Sequence, residues 1–184
     1  MAEFNRDFFE RGQDIIPLIN QGDADTDITG DWVKMRDYDR ATILVAKYGT
    51  EDVDTIGVQV LQATDATGTG VKAVSALFPY RTKQGTLTSQ TVWTYGRLTT
   101  ADDILGVGSA APTGGTLITA VDVNTDAFLL AIEVQRDDMD VDGGFDWLTI
   151  KIEGDETNNA LLMSAWLILM GGRFAQQVPL SAIS

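Results

Sequence analysis

Several stretches of this chain alternate apolar and polar residues with a period of two, the spacing of a β-strand rather than a helix. In Phe128-Leu129-Leu130-Ala131-Ile132-Glu133-Val134, Phe128, Leu130, Ile132 and Val134 fall on one face. In Trp147 to Glu153, Leu148, Ile150 and Ile152 share a face while Thr149, Lys151 and Glu153 take the other, and in Thr55 to Gln62 the same holds for Ile56, Val58 and Val60. Arg40 to Tyr48 is β-branched and apolar on both faces, which predicts a central strand, and Gln90 to Tyr95 is a further strand candidate. The continuous apolar run Leu161 to Leu169 lacks helical polar periodicity and is read as a core strand.

Turn-forming residues separate these segments, at Asp65 to Gly70, at Gly106 to Gly115 with Pro112, and at Asp142-Gly143-Gly144. Many short strands with Gly-rich connections predict an all-β fold, an antiparallel β-sandwich with the jelly roll as one form it can take. Residues 1–30 read as an N-terminal arm. Phe4, Phe8, Phe9, Ile15 and Ile16 give a short amphipathic start near helical spacing, Pro17 stops it, and a polar run with Asp23, Asp25 and Asp27 follows. Such an arm either folds back as a short helix or docks on a neighbouring subunit, because an isolated helix of this length is marginal in water. Residues 31–172 then form the sandwich, and 173–184 an extended tail.

The chain contains no cysteine and no histidine. Disulfides, thiolate metal sites, Cys nucleophiles and His-based proton transfer are thereby excluded, and no nucleophile or phosphate-loop pattern occurs. The expectation is a protein that is not an enzyme and uses no cofactor. A net charge of −14 repels polyanions, so nucleic acid is not an expected partner. The longest apolar run, Ala160 to Met170, is shorter than the roughly twenty residues of a membrane-spanning helix, so no membrane partner is expected. Residues 1–11 lack the basic and apolar regions of a secretory signal, which predicts a protein that stays where it is made.

One acidic segment has a ligand-like spacing. Asp138, Asp140, Asp142 and Gly143 match the opening of a calcium-binding EF-hand loop. The twelfth position is Thr149 rather than a bidentate Glu, and the flanks read as strands, so a solvated acidic connection is the stronger reading. Trp32, Trp93, Trp147 and Trp166 could in principle form a sugar-stacking platform, but all lie in or beside predicted strands, where such residues fill cores and interfaces.

The stretches Gly30-Asp31-Trp32-Val33, Tyr38 to Ile43, Val60 to Asp65, Asp138 to Asp146 and Gly171-Gly172-Arg173-Phe174-Ala175 resemble a family of small structural proteins of tailed bacteriophages, the head decoration or cement proteins. The resemblance implies a virion protein, made in the host cytoplasm, that binds the major capsid protein on the outer surface of the head and braces capsomers, often as a homotrimer. Phe4, Phe8, Phe9, Arg173 and Phe174 are then the candidate interface residues. A head-tail connector or tail tube subunit, and a carbohydrate-binding β-sandwich, are the competing expectations.

Overall fold

The computed structural model describes residues 14–23, 27–48, 55–84, 93–98, 105–108, 116–118, 127–153 and 162–172. Its strands are β1 (Asp14–Asp23), β2 (Ile28–Thr29), β3 (Val33–Lys34), β4 (Tyr38–Lys47), β5 (Thr55–Ala63), β6 (Lys72–Ala73), β7 (Pro79–Gln84), β8 (Thr94–Arg97), β9 (Leu105–Gly108), β10 (Thr116–Ile118), β11 (Phe128–Gln135), β12 (Trp147–Glu153) and β13 (Leu162–Gly172). A single 3-10 turn, Arg136–Asp138, follows β11, and no α-helix occurs among the described residues.

The strands form two packed sheets. The first has the order β1-β13-β4-β11-β7-β8, and the second β10-β9-β5-β12-β2, with β3 also on β12 and β6 on β5. Among the described residues all pairings are antiparallel except β9 with β10. The path identifies the sandwich type. The chain enters the first sheet with β1, crosses to the second with β2 and β3, returns with β4, crosses again for β5 and β9, and finishes β11, β12, β13 by alternating sheets. The resulting sets β1-β13-β4-β11 and β2-β12-β5-β9 are the two four-stranded sheets of a jelly roll. The β7–β8 hairpin, inserted between β5 and β9, widens the first sheet beyond β11.

The core follows the alternation read from sequence. Phe128, Leu130 and Ile132 are 0% exposed and Val134 1%, and they meet Leu148, Ile150 and Ile152 of the other sheet, also 0% exposed. From the remaining strands Ile43, Val45, Val58, Val60, Leu167 and Leu169 complete the layer. Each such side chain contributes about 1.5–3 kcal/mol of burial free energy. Arg40 to Tyr48 is central as expected, since β4 pairs with β11 on one side and β13 on the other. The run from Leu161 is a strand from Leu162 onward.

The arm boundary at residue 30 requires correction. Asp14 to Asp23 is a full strand of the first sheet, and Leu18 and Ile19 are core residues at 3% and 5% exposure. Of the residues read as an amphipathic start, Ile15 and Ile16 lie in this strand, while Phe4, Phe8 and Phe9 lie outside the described residues; breaks in strand register occur between Pro17 and Ile19 and again before Gly22. A bulge lets two consecutive residues turn inward. Pro17 is tolerated because β1 is an edge strand that pairs only with β13. The segment Gly106 to Gly115 is likewise corrected at its start, since Gly106 to Gly108 belong to β9. Only Thr94 and Tyr95 of the Gln90 to Tyr95 candidate lie in β8, and residues 90–92 lie outside the described residues.

The corner between the sheets is closed by backbone. The Asp31 amide donates to the Leu18 carbonyl at 2.9 Å, and the Gly30 amide to Ile150 at 2.9 Å. A Cβ on Gly30 would lie 3.0 Å from Thr149 Oγ1 and 3.2 Å from the Leu18 carbonyl oxygen. Gly30→Val therefore overpacks this corner, and urea titration is expected to read a loss of about 1–3 kcal/mol.

Candidate interaction surface

Two regions gather the residues that sequence singled out. The first is the loop end of the sandwich, where the acidic β11–β12 connection folds against the β5–β6 loop. Asp138 accepts a hydrogen bond from the Gln135 amide at 2.7 Å. Asp140 accepts from the Gly143 amide at 3.0 Å and pairs with Lys72 at 2.5 Å. The Asp140 amide donates to Gln62 Oε1 at 2.8 Å, and Gln62 Nε2 donates to the Ala73 carbonyl at 3.1 Å. Lys72 Nζ also lies 3.9 Å from the centre of the Phe145 ring. These carboxylates tie the loop to the body of the domain.

Asp138, Asp140 and Asp142 do not converge on a common point. Among the described residues no three acidic side chains are placed to share a cation. The spacing matches the motif, but a 3-10 turn and two strands replace the helices that would aim the oxygens inward. The adjoining cleft of about 580 Å³ is lined by Gln59, Gln62, Lys72, Ser75, Asp138 and Asp140. Gln62, Lys72 and both aspartates are engaged as just described, so the cleft acts as a joint between loops. Gln62 is 2% exposed and holds both of its partners. Gln62→Ala is expected to cost about 1–3 kcal/mol by stranding them, measured as a shift of the denaturant midpoint at unchanged slope.

Asp65 caps the β5–β6 loop. Its Oδ1 accepts from the Thr67 amide at 2.9 Å, the Thr67 hydroxyl at 2.7 Å and the Thr69 amide at 3.1 Å. Hydrogen bonds from the side chains of Thr69 and Thr67, then from the Thr69 amide, hold its carboxyl well below the ordinary value of 3.8. Asp140 is also lowered, first by the hydrogen bond from Lys72 and then by the Gly143 amide. A depressed folded-state value stabilises the fold above the unfolded value and loses that contribution as pH falls. The stability difference between the native chain and Asp65→Asn should therefore be full above about pH 5 and shrink steadily below pH 4. Denaturant titrations across that range measure it, and a pH-independent difference would remove the carboxylate's role.

The second region lies where the chain ends leave the domain. Asp14, the first residue of β1, pairs with Leu169 of β13, and β13 ends three residues later at Gly172. The N-terminal segment thus enters and the C-terminal segment leaves at the same end of two adjacent strands. Phe4, Phe8, Phe9, Arg173 and Phe174 lie outside the described residues, but the segments carrying them attach side by side.

The outer face of the first sheet begins at this exit. Cross-strand register places Ile15 beside Ile168, Thr42 and Glu133 in one row, and Pro17 beside Trp166, Leu44 and Ala131 in the next. A third row holds Ser164, Ala46 and Leu129. Of these eleven side chains only Glu133, on β11, is charged, in a chain that is 22% charged overall. Ala46, Ser164 and Ala131 form a floor at 1%, 6% and 8% exposure, and Ile15 stands out at 47%. An antiparallel sheet ordinarily turns polar residues outward. On the β11 and β7 side of the tract Arg81 pairs with Glu133 at 3.0 Å and stacks on Tyr95 at 5.0 Å. Among the described residues no third layer covers the tract. Sequence reading missed it, although the signal was present. Both β4 and β13 are apolar on two faces, a pattern that marks a central or core strand and does not tell which face is left outside.

The tryptophans do not make one platform. Trp32 lies against Gly68, where a Cβ would come within 2.8 Å of its Nε1. Trp147 sits 5.5 Å from Lys34 Nζ on the second sheet, while Trp166 belongs to the first. Each of the four is half-buried. No described helix is long and apolar enough to cross a membrane. Comparison with protein-family models and with curated proteins finds no match.

Proposed function

We propose that the chain is a structural protein of a tailed-phage virion that binds the major capsid protein on the outer surface of the head and braces neighbouring capsomers, and that it catalyses no reaction. The observation that carries this reading is the apolar tract of β1, β13 and β4, whose outward side chains in these rows carry no charge, lying beside the attachment points of both terminal segments. Depletion of charge within an apolar patch is the compositional mark of a protein–protein interface, and the tract's area of roughly 400 Å², from strand and pleat spacings, is that of a functional patch. The sequence resemblance to head decoration proteins supplies the shell as partner. The charge of −14 favours the outside of a shell that encloses DNA.

The test is localisation. In images of purified particles, density fitting the jelly roll is expected at repeated positions over the outer shell, and protein added to heads lacking it is expected to co-sediment with them. Density confined to one vertex or to the tail would instead make the chain a connector or tube subunit. Absence from particles would overturn both.

A further inference from the structure

We propose that the apolar tract of β1, β13 and β4 is the seat for the phenylalanine-bearing N-terminal segment of a second copy of this chain, so that copies join by exchanging arms. This rests on the reading above of the tract as a protein–protein interface, gives that tract to a second copy of the chain rather than to the shell, and is tested without capsids. Size decides the occupant. A stable interface takes about 800 Å² from each partner, twice the roughly 400 Å² that the tract offers. Two copies pressed face to face through it alone would fall short. A segment carrying Phe4, Phe8 and Phe9 suits it, since each aromatic ring buries about 150–250 Å².

The arithmetic closes in a reciprocal pair, in which each chain gives its arm to the partner and receives the partner's, because each protomer then contributes about 400 Å² of tract and about 400 Å² of arm to one interface. A reciprocal exchange of this kind is isologous and closes as a two-fold pair. Charge agrees with the choice. Chains at −14 repel each other over most of their surface, and the tract is where contact costs no like-charge repulsion. Geometry supplies the arm, since Phe8 stands six residues before Asp14 and reaches up to about 20 Å from the rim of the tract.

The absence of cysteine makes the test clean. Phe8→Cys and Ile168→Cys are made as separate full-length variants, mixed, allowed to exchange and oxidised. The expected product is a covalent pair containing one chain of each kind, with neither variant forming pairs when oxidised alone. The double variant separates the alternatives: an intrachain disulfide with no interchain product means that each arm covers its own sheet, and overturns the proposal. Pairs of Ile168→Cys chains alone mean face-to-face contact and overturn it equally, as does the absence of any disulfide. Replacing Phe4, Phe8 and Phe9 together by Ser is expected to convert the assembled species to monomers in sedimentation while the β-sheet circular dichroism is retained. Persistence of the assembly would sink the idea even if the protein decorates heads, and decoration can fail with the exchange intact.

Discussion

Phe128→Ala is expected to lower the unfolding free energy by about 3–5 kcal/mol, the range for removing a large aromatic side chain from a packed core. Phe128 is 0% exposed and opens β11, which lies between β4 and β7 in the middle of the first sheet. Its neighbour Leu129 occupies the other face of the same strand and is half-buried. Leu129→Ala removes a smaller, partly wet side chain, and about 1 kcal/mol is expected. For a chain whose total stability is on the order of 5–15 kcal/mol, the first change is a large fraction and the second a small one. At roughly 2–4 °C per kcal/mol for a domain of this size, the Phe128 variant should melt about 10 °C lower. Calorimetry of the two variants therefore reads the inside and outside of the sheet directly. A larger loss from Leu129→Ala than from Phe128→Ala would mean that the register of β11 is wrong, because a slip of one residue exchanges the faces.

That register was legible because a half-buried strand repeats every two residues without interruption, as β5, β11 and β12 do. Where the backbone departs from regular pairing, the signal fails. β1 hid its identity because Pro17 and the bulges around it, with Leu18 and Ile19 both turned inward, break the alternation that marks a strand. β9 carried no strand signal in its glycines, since Gly106 pairs with Gly57 and neither presents a side chain to show periodicity. The acidic loop had the reverse fault. Its residues were in the right order for a cation, but ligand geometry depends on the flanking conformation, and two strands joined through a 3-10 turn aim Asp138 and Asp140 at their own loop. The apolar tract was half legible: the composition of β4 and β13 announced two apolar faces, and only the strand order tells which faces inward.

Truncation at the N-terminus should divide sharply at Asp14. Removing residues 1–13 leaves the whole β1–β13 ladder, from Asp14 opposite Leu169 to Asp23 opposite Leu162, and the product is expected to keep its β-sheet spectrum and one cooperative unfolding transition while losing attachment to heads. Removing residues 1–20 takes most of β1 with it. Leu18 and Ile19 leave the core, each worth about 1.5–3 kcal/mol, and the Asp31 amide loses the Leu18 carbonyl that closes the corner. The greater consequence falls on β13. With its partner gone, the apolar run Leu162 to Gly172 becomes an open edge with free backbone donors and acceptors, which is a template for intermolecular pairing. The longer deletion is therefore expected to accumulate as insoluble protein, with the soluble remainder lacking a cooperative transition. Soluble yield and circular dichroism of the two truncations measure the difference. A soluble, cooperatively folding chain starting at residue 21 would show that β1 is an arm after all, and that the sandwich is complete without it.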